Sequence, residues 1–178
     1  IPDRSLEGYG LNEEAIFTLK ENGTELIITV DNGISAIKEV QLAKDLGIEM
    51  VITDHHRPGE SLPKALAVVD PYREDYDGEF KQWAGVGIAF KLASALEDGD
   101  DEKILSDYAD IIALGTIADV VPLKGENRIL VRRGIESINS GKSVGLSALK
   151  EMAAAGRWIN STSAAFILAP RLNAAGRM

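Results

Sequence analysis

The chain has 178 residues, 45% of them hydrophobic, no cysteine and a formal net charge of −9. That apolar content supports a real core, while the missing thiols exclude disulfides, thiolate zinc centres and a cysteine nucleophile. The acidic balance argues against a domain that coats nucleic acid by bulk charge, and no apolar stretch reaches the roughly 20 residues that span a bilayer.

In chain order, Asn12 is a good N-cap for a helix over Glu13–Glu21, with Glu13 and Glu14 at its positive end and Gly23 to stop it. The β-branched run 26–30 reads as a buried parallel strand ending in Asp31-Asn32-Gly33. Ser35 can cap the next helix, where Ile37, Val40, Ala43 and Leu46 recur at near-helical spacing until Gly47. A second buried strand over 50–53 then ends in Asp54-His55-His56, completing a βαβ unit. Residues 65–69 suggest a third short strand, which Asp70-Pro71 closes, and Tyr72 to Trp83 forms a loop. Gly85-Val86-Gly87 opens an apolar helix through Leu96, and an acidic turn leads to another around Ile104 to Leu114. Beyond Pro122 the pattern is helical, around residues 129–138, 146–152 and finally 162–169 before Pro170. The fold class is α/β, a mainly parallel sheet flanked by helices, with one domain over 1–125 and a helical segment over 126–178.

The only two histidines, His55 and His56, follow a strand directly. Strand ends in open α/β sheets converge on one crevice, and carboxylate oxygen and imidazole nitrogen both suit Mn²⁺-like ions. Asp31 and Asp54-His55-His56 therefore form a candidate metal or phosphate site, against the plainer readings of an Asn-Gly turn and a solvated histidine loop. Asp119 lies in apolar sequence, where a charge needs a cation, hydrogen-bond donors or a helix end. Arg171, Asn173 and Arg177 offer either a phosphate clamp or an ordinary helix exit. Arg128, Arg132 and Arg133 read as a solvated helix face. Carboxylates gathered around metals also contribute negative charge, so the net charge does not exclude a metal-dependent nuclease.

Five segments in order, Thr29-Val30-Asp31-Asn32-Gly33-Ile34-Ser35, Thr53-Asp54-His55-His56, Ala84-Gly85-Val86-Gly87, Gly115-Thr116-Ile117-Ala118-Asp119-Val120-Val121-Pro122-Leu123 and Ala169-Pro170-Arg171-Leu172-Asn173-Ala174-Ala175-Gly176-Arg177-Met178, together resemble the DHH phosphoesterase superfamily. The last two resemble its single-stranded-DNA exonucleases in particular, and 7–12 fits the same entry into the domain. The resemblance implies two Mn²⁺ or Mg²⁺ ions, with Asp31 bridging them, His55 and Asp119 ligating one, and His56 facing the scissile phosphate. Asp54 is carried over either as a ligand or as support for a histidine, and Arg171, Asn173 and Arg177 as holders of the DNA backbone. The family's first motif, Asp-x-Asp at a strand end, has no counterpart in 1–26, and its second, substrate-gripping domain is not in this sequence. With no initiator Met at Ile1 and no signal layout, the expectation is a cytoplasmic fragment of a longer enzyme, itself inactive or nearly so.

The expected parent function is metal-dependent hydrolysis of single-stranded DNA in repair and recombination, the 5′ to 3′ direction coming from the resemblance alone. The alternatives are a DHH phosphodiesterase acting on oligoribonucleotides or cyclic dinucleotides, and a non-catalytic nucleic-acid-binding scaffold. Single-stranded DNA is the expected partner, with no membrane association.

Overall fold

The computed structural model describes residues 10–175. The chain divides into two compact units, 1–81 and 82–178. Among the described residues no helix is long and apolar enough to cross a membrane.

The first unit begins with α1 (Glu13–Glu21), where Asn12 Oδ1 accepts the Ala15 N–H at 2.7 Å as the cap signal requires. Then follow β1 (Leu26–Val30), α2 (Ile37–Asp45), β2 (Glu49–Thr53) and β3 (Ala67–Val69). The sheet order is β1-β2-β3 and both pairings are parallel, with Thr29 opposite Ile52 and Thr53 opposite Val69. Parallel pairing needs a crossover, which α2 supplies between β1 and β2. The core consists of Ile16 from α1, Val40 and Ala43 from α2, Ile48, and Met50 and Ile52 from β2. Full burial of each large aliphatic chain stabilises the fold by about 1.5–3 kcal/mol.

Two expectations need correction. Strand β1 is not buried on both faces, because it lies at an end of the described sheet and leaves Leu26, Ile28 and Val30 46%, 48% and 49% exposed. Ser35 does not cap α2 either; the cap position is Ala36, with no side-chain hydrogen bond. The turn after β1 is tied instead by side chains from the strand ends.

The second unit is helical: α3 (Gly85–Leu96), α4 (Asp101–Ala118), α5 (Gly125–Ser140) and α6 (Val144–Ala154). The side chains of Asp100 and Ser143 accept N–H bonds from Lys103 and Leu146, capping α4 and α6. Gly141 ends α5 at φ 76°. Its core gathers Leu114, Ile117, Val131, Ile138, Ile159 and Leu168 among others. Gly134 of α5 sits where a Cβ would overlap the Ala109 carbonyl and the Ala113 Cβ of α4, so the absent side chain lets these helices pack closely.

The last helix departs from its expected stop before Pro170. After α7 (Ser161–Ser163), capped by Asn160, a π-helical stretch (Ala164–Leu168) leads into α8 (Ala169–Ala175). Proline lacks an N–H and its ring crowds the carbonyl four residues back. The wider turn, marked by the Ala169 N–H bonding to Ala164 O, relieves that crowding and lets the helix continue. The arginines of α5 are also less uniform than expected, since Arg133 pairs with both carboxylate oxygens of Glu102.

Candidate metal centre

The centre forms where β1 and β2 end side by side. The ladder runs one residue past the strands, with the Asp31 N–H donating to Thr53 O at 3.0 Å, and Asp31 then turns into the left-handed region at φ 63°. Aspartate tolerates that conformation better than most residues. Thr29 Oγ1 donates to Asn32 O at 2.7 Å, and Gly33 follows at φ 108°. A Cβ at Gly33 would lie 2.9 Å from Thr29 Oγ1, so glycine is required both by its φ and by this close approach. Beneath the turn, Thr53 Oγ1 donates to Thr29 O at 2.7 Å, locking the two strand ends together.

Asp54 organises both loops. Its Oδ2 accepts the Ile34 N–H at 3.0 Å, and its Oδ1 accepts the N–H groups of His55 and His56 at 2.8 and 3.2 Å. The same Oδ1 lies 2.7 Å from His56 Nδ1. Burial opposes the charge on Asp54, but the donors from Ile34, His56 and His55 outweigh it and hold the carboxyl below its ordinary range.

In front of Asp54, His55 Nε2 and Asp31 Oδ1 face each other at 2.9 Å, both shielded from solvent. Ligating atoms of Asp31, His55 and His56 all lie within 4.8 Å of one another, and the two imidazole rings are 4.4 Å apart. One carboxylate oxygen and imidazole nitrogens at this spacing form a donor set suited to a borderline divalent cation. A cleft of ≈ 430 Å³ opens over Asp31, Asn32, Gly33, Asp54 and His56.

Asp70 went unremarked in the sequence as a site neighbour. It follows β3, and Asp54 N–H donates to Val69 O, which places it at the next strand end. Its Oδ1 accepts the Tyr72 N–H at 2.7 Å, while its buried Oδ2 has no hydrogen bond among the described residues. Desolvation, reinforced by the charge of Asp54, pushes its pKa up to about 6. A carboxylate at a third strand end was the available signal, obscured by the following proline.

The remaining candidates belong to the second unit or fall outside the described residues. Asp119 is the C-cap of α4, its N–H bonding to Gly115 O at 3.0 Å. The apolar neighbours that suggested burial are inside, but Asp119 itself is exposed because the helix ends there. Arg171 donates to Ile167 O at 2.6 Å, and Asn173 is exposed on α8. Arg177 lies outside the described residues.

The family model for the DHH family, N-terminal domain, matches residues 1–116. The chain belongs to the DHH family. Among curated DHH relatives, the single-stranded-DNA-specific exonuclease RecJ of Bacillus subtilis is 46% identical over 179 residues, covering all of this chain and 22% of the relative. That of Escherichia coli is 43% identical over 191 residues, covering all of this chain and 33% of the relative. A crystal structure of exonuclease RecJ bound to manganese superposes with a TM-score of 0.84 at 41% identity, covering 99% of this chain and 44% of that one. RecJ from Thermus thermophilus in complex with Mn²⁺ gives 0.76 at 38% identity, covering 92% of this chain and 24% of that one. This DHH chain thus spans 22% to 33% of the length of these curated relatives.

Proposed function

We propose that this chain is the metal-binding part of a Mn²⁺- or Mg²⁺-dependent exonuclease that degrades single-stranded DNA from the 5′ end in the cytoplasm. The observation that carries the reading is the opposed pair Asp31 Oδ1 and His55 Nε2 at 2.9 Å, with His56 beside it. RecJ relatives that match the whole chain, and RecJ structures with manganese that match 99% and 92% of it, support the same reading.

The donor set fits the metal. Asp31, His55 and Asp119 are the residues that would hold the divalent ions. When bound, paired divalent ions polarise phosphoryl oxygens and make a water acidic enough to attack at neutral pH. The protein's own part is orientation. Asp54 engages His56 Nδ1 and so fixes the orientation of the ring beside the cleft. Both oxygens of Asp54 accept N–H groups of the two loops, which fits a role in supporting the histidines. Arg171, Asn173 and Arg177 hold the DNA backbone through charge-assisted and amide hydrogen bonds.

The test uses the full-length protein with end-labelled single-stranded DNA, oligoribonucleotides and cyclic dinucleotides as parallel substrates. Mn²⁺-dependent shortening of the DNA, abolished in His55→Ala and Asp119→Ala, is the expected result. Near-normal turnover by either folded variant refutes the ligand assignment, and preference for either small substrate refutes the substrate. The chain spans only 22% to 33% of its curated RecJ relatives, and the 178 residues alone are expected to show little or no degradation.

A further inference from the structure

Asn127 is wholly buried in the first turn of α5, an unusual place for a primary amide. Its Nδ2 donates to Gln82 O at 2.6 Å and to Pro122 O at 3.1 Å. Its Oδ1 is buried and has no hydrogen bond among the described residues. An amide that leaves its acceptor unsatisfied is a poor choice for stability alone. Its contribution is therefore the pair of donors, which link the chain entering α3 to the turn that follows Asp119.

That turn needs holding. Val120 lies at φ 60°, a conformation that is an outlier for a β-branched residue, and its side chain is 86% exposed, so packing does little to fix it. On its N-terminal side the Asp119 and Val120 N–H groups bond back to Gly115 O and Ile117 O. On its C-terminal side, Asn127 grips Pro122 O. The left-handed residue is thus pinned from both directions, and the backbone of Asp119 is fixed with it.

We infer that Asn127 is a positioning residue for Asp119, setting the strained turn that carries this carboxylate. The inference rests on the reading of Asp119 as a metal ligand. An aspartate at 127 could not replace it, because ionised carboxylate offers no donor to two carbonyls.

Asn139 provides an internal control. It lies twelve residues further along the same helix, about 18 Å at 1.5 Å per residue. Its Nδ2 donates to Ile135 O and Ile159 O at 2.9 and 2.7 Å, and its Oδ1 accepts the Ile159 N–H at 2.9 Å. It clamps backbone in the same way but away from Asp119.

The experiment compares Asn127→Ala, Asn127→Ser, Asn139→Ala and Asp119→Ala in the full-length protein. Three properties are measured: the Mn²⁺ concentration for half-maximal activity, kcat and KM on single-stranded DNA, and amide exchange at 120–123 without metal. Asn127→Ala should raise the Mn²⁺ requirement and lower kcat, each by about 10-fold or more, leave KM for DNA unchanged and accelerate exchange at 120–123. Asn127→Ser, which retains one donor, should show a smaller change of the same kind, and it decides the question if the alanine variant does not fold. Asn139→Ala should lower the melting temperature while sparing the Mn²⁺ requirement and that exchange. If the Asn127 variants behave as Asn139→Ala does while Asp119→Ala is inactive, the inference is wrong and the metal centre stands. If Asp119→Ala keeps its Mn²⁺ response, the metal-centre reading fails and the inference fails with it.

Discussion

Replacing Asp70 by asparagine should stabilise the protein at neutral pH and leave it unchanged in acid. The folded environment pushes this carboxyl from an ordinary 3.8 up to about 6, because one oxygen is buried without a donor and Asp54 stands nearby. The fold therefore prefers the protonated acid. The favourable contribution is fully present below about pH 4 and is lost as pH rises through about 6, since the unfolded chain releases the proton first. A shift of about two units at 1.36 kcal/mol each sets an upper figure of ~3 kcal/mol. Asparagine keeps the shape and the acceptor for the Tyr72 N–H but never ionises. The variant should thus match the parent at pH 4 and exceed it by about 1–3 kcal/mol at pH 7.5. Urea unfolding in EDTA at several pH values between these limits measures the gap. A gap that does not change with pH, or a variant less stable at pH 7.5, refutes the reasoning.

Gly134→Ala should destabilise by about 1–3 kcal/mol, the cost of overpacking against the Ala109 carbonyl, which exceeds the ~1 kcal/mol gained in helix propensity. Gly145→Ala, with nothing within 4 Å of the added carbon, should instead be neutral or stabilising by up to ~1 kcal/mol; thermal melts followed by circular dichroism give both signs. Arg171→Ala in the full-length protein should weaken single-stranded DNA binding across sequences and flatten its salt dependence. Unchanged affinity and slope would leave Arg171 its hydrogen bond to Ile167 O as its whole role.

Local signals were legible wherever one short-range cause decides the structure. Asn12 before Glu13 and Glu14 announces the start of α1, and the spacing of Val40 and Ala43 gives the buried face of α2. The two strand ends carrying Asp31 and Asp54-His55-His56 were legible because parallel strands joined by a helix must end on the same edge. What escaped depends on partners distant in sequence. Ser35 looks like a cap, but the Ile34 N–H beside it is taken by Asp54, twenty residues away. Pro170 signals a stop, and only the widening of the preceding turn reveals why the helix survives it. The burial of Asp70 follows from where β3 docks, and the two carbonyls held by Asn127 come from segments 5 and 45 residues away. No periodicity in the sequence marks either.

The exposed row Leu26, Ile28 and Val30 has a practical consequence for anyone handling this chain in isolation. Among the described residues β1 is an edge strand, and an apolar, β-branched edge offers its backbone groups as a template for another copy. Its charged neighbours, Glu25 before it and Asp31 after it, act as gatekeepers against such stacking. Aggregation of the purified chain should accelerate as pH falls towards the sequence pI of ≈ 4.8, where net repulsion between molecules vanishes.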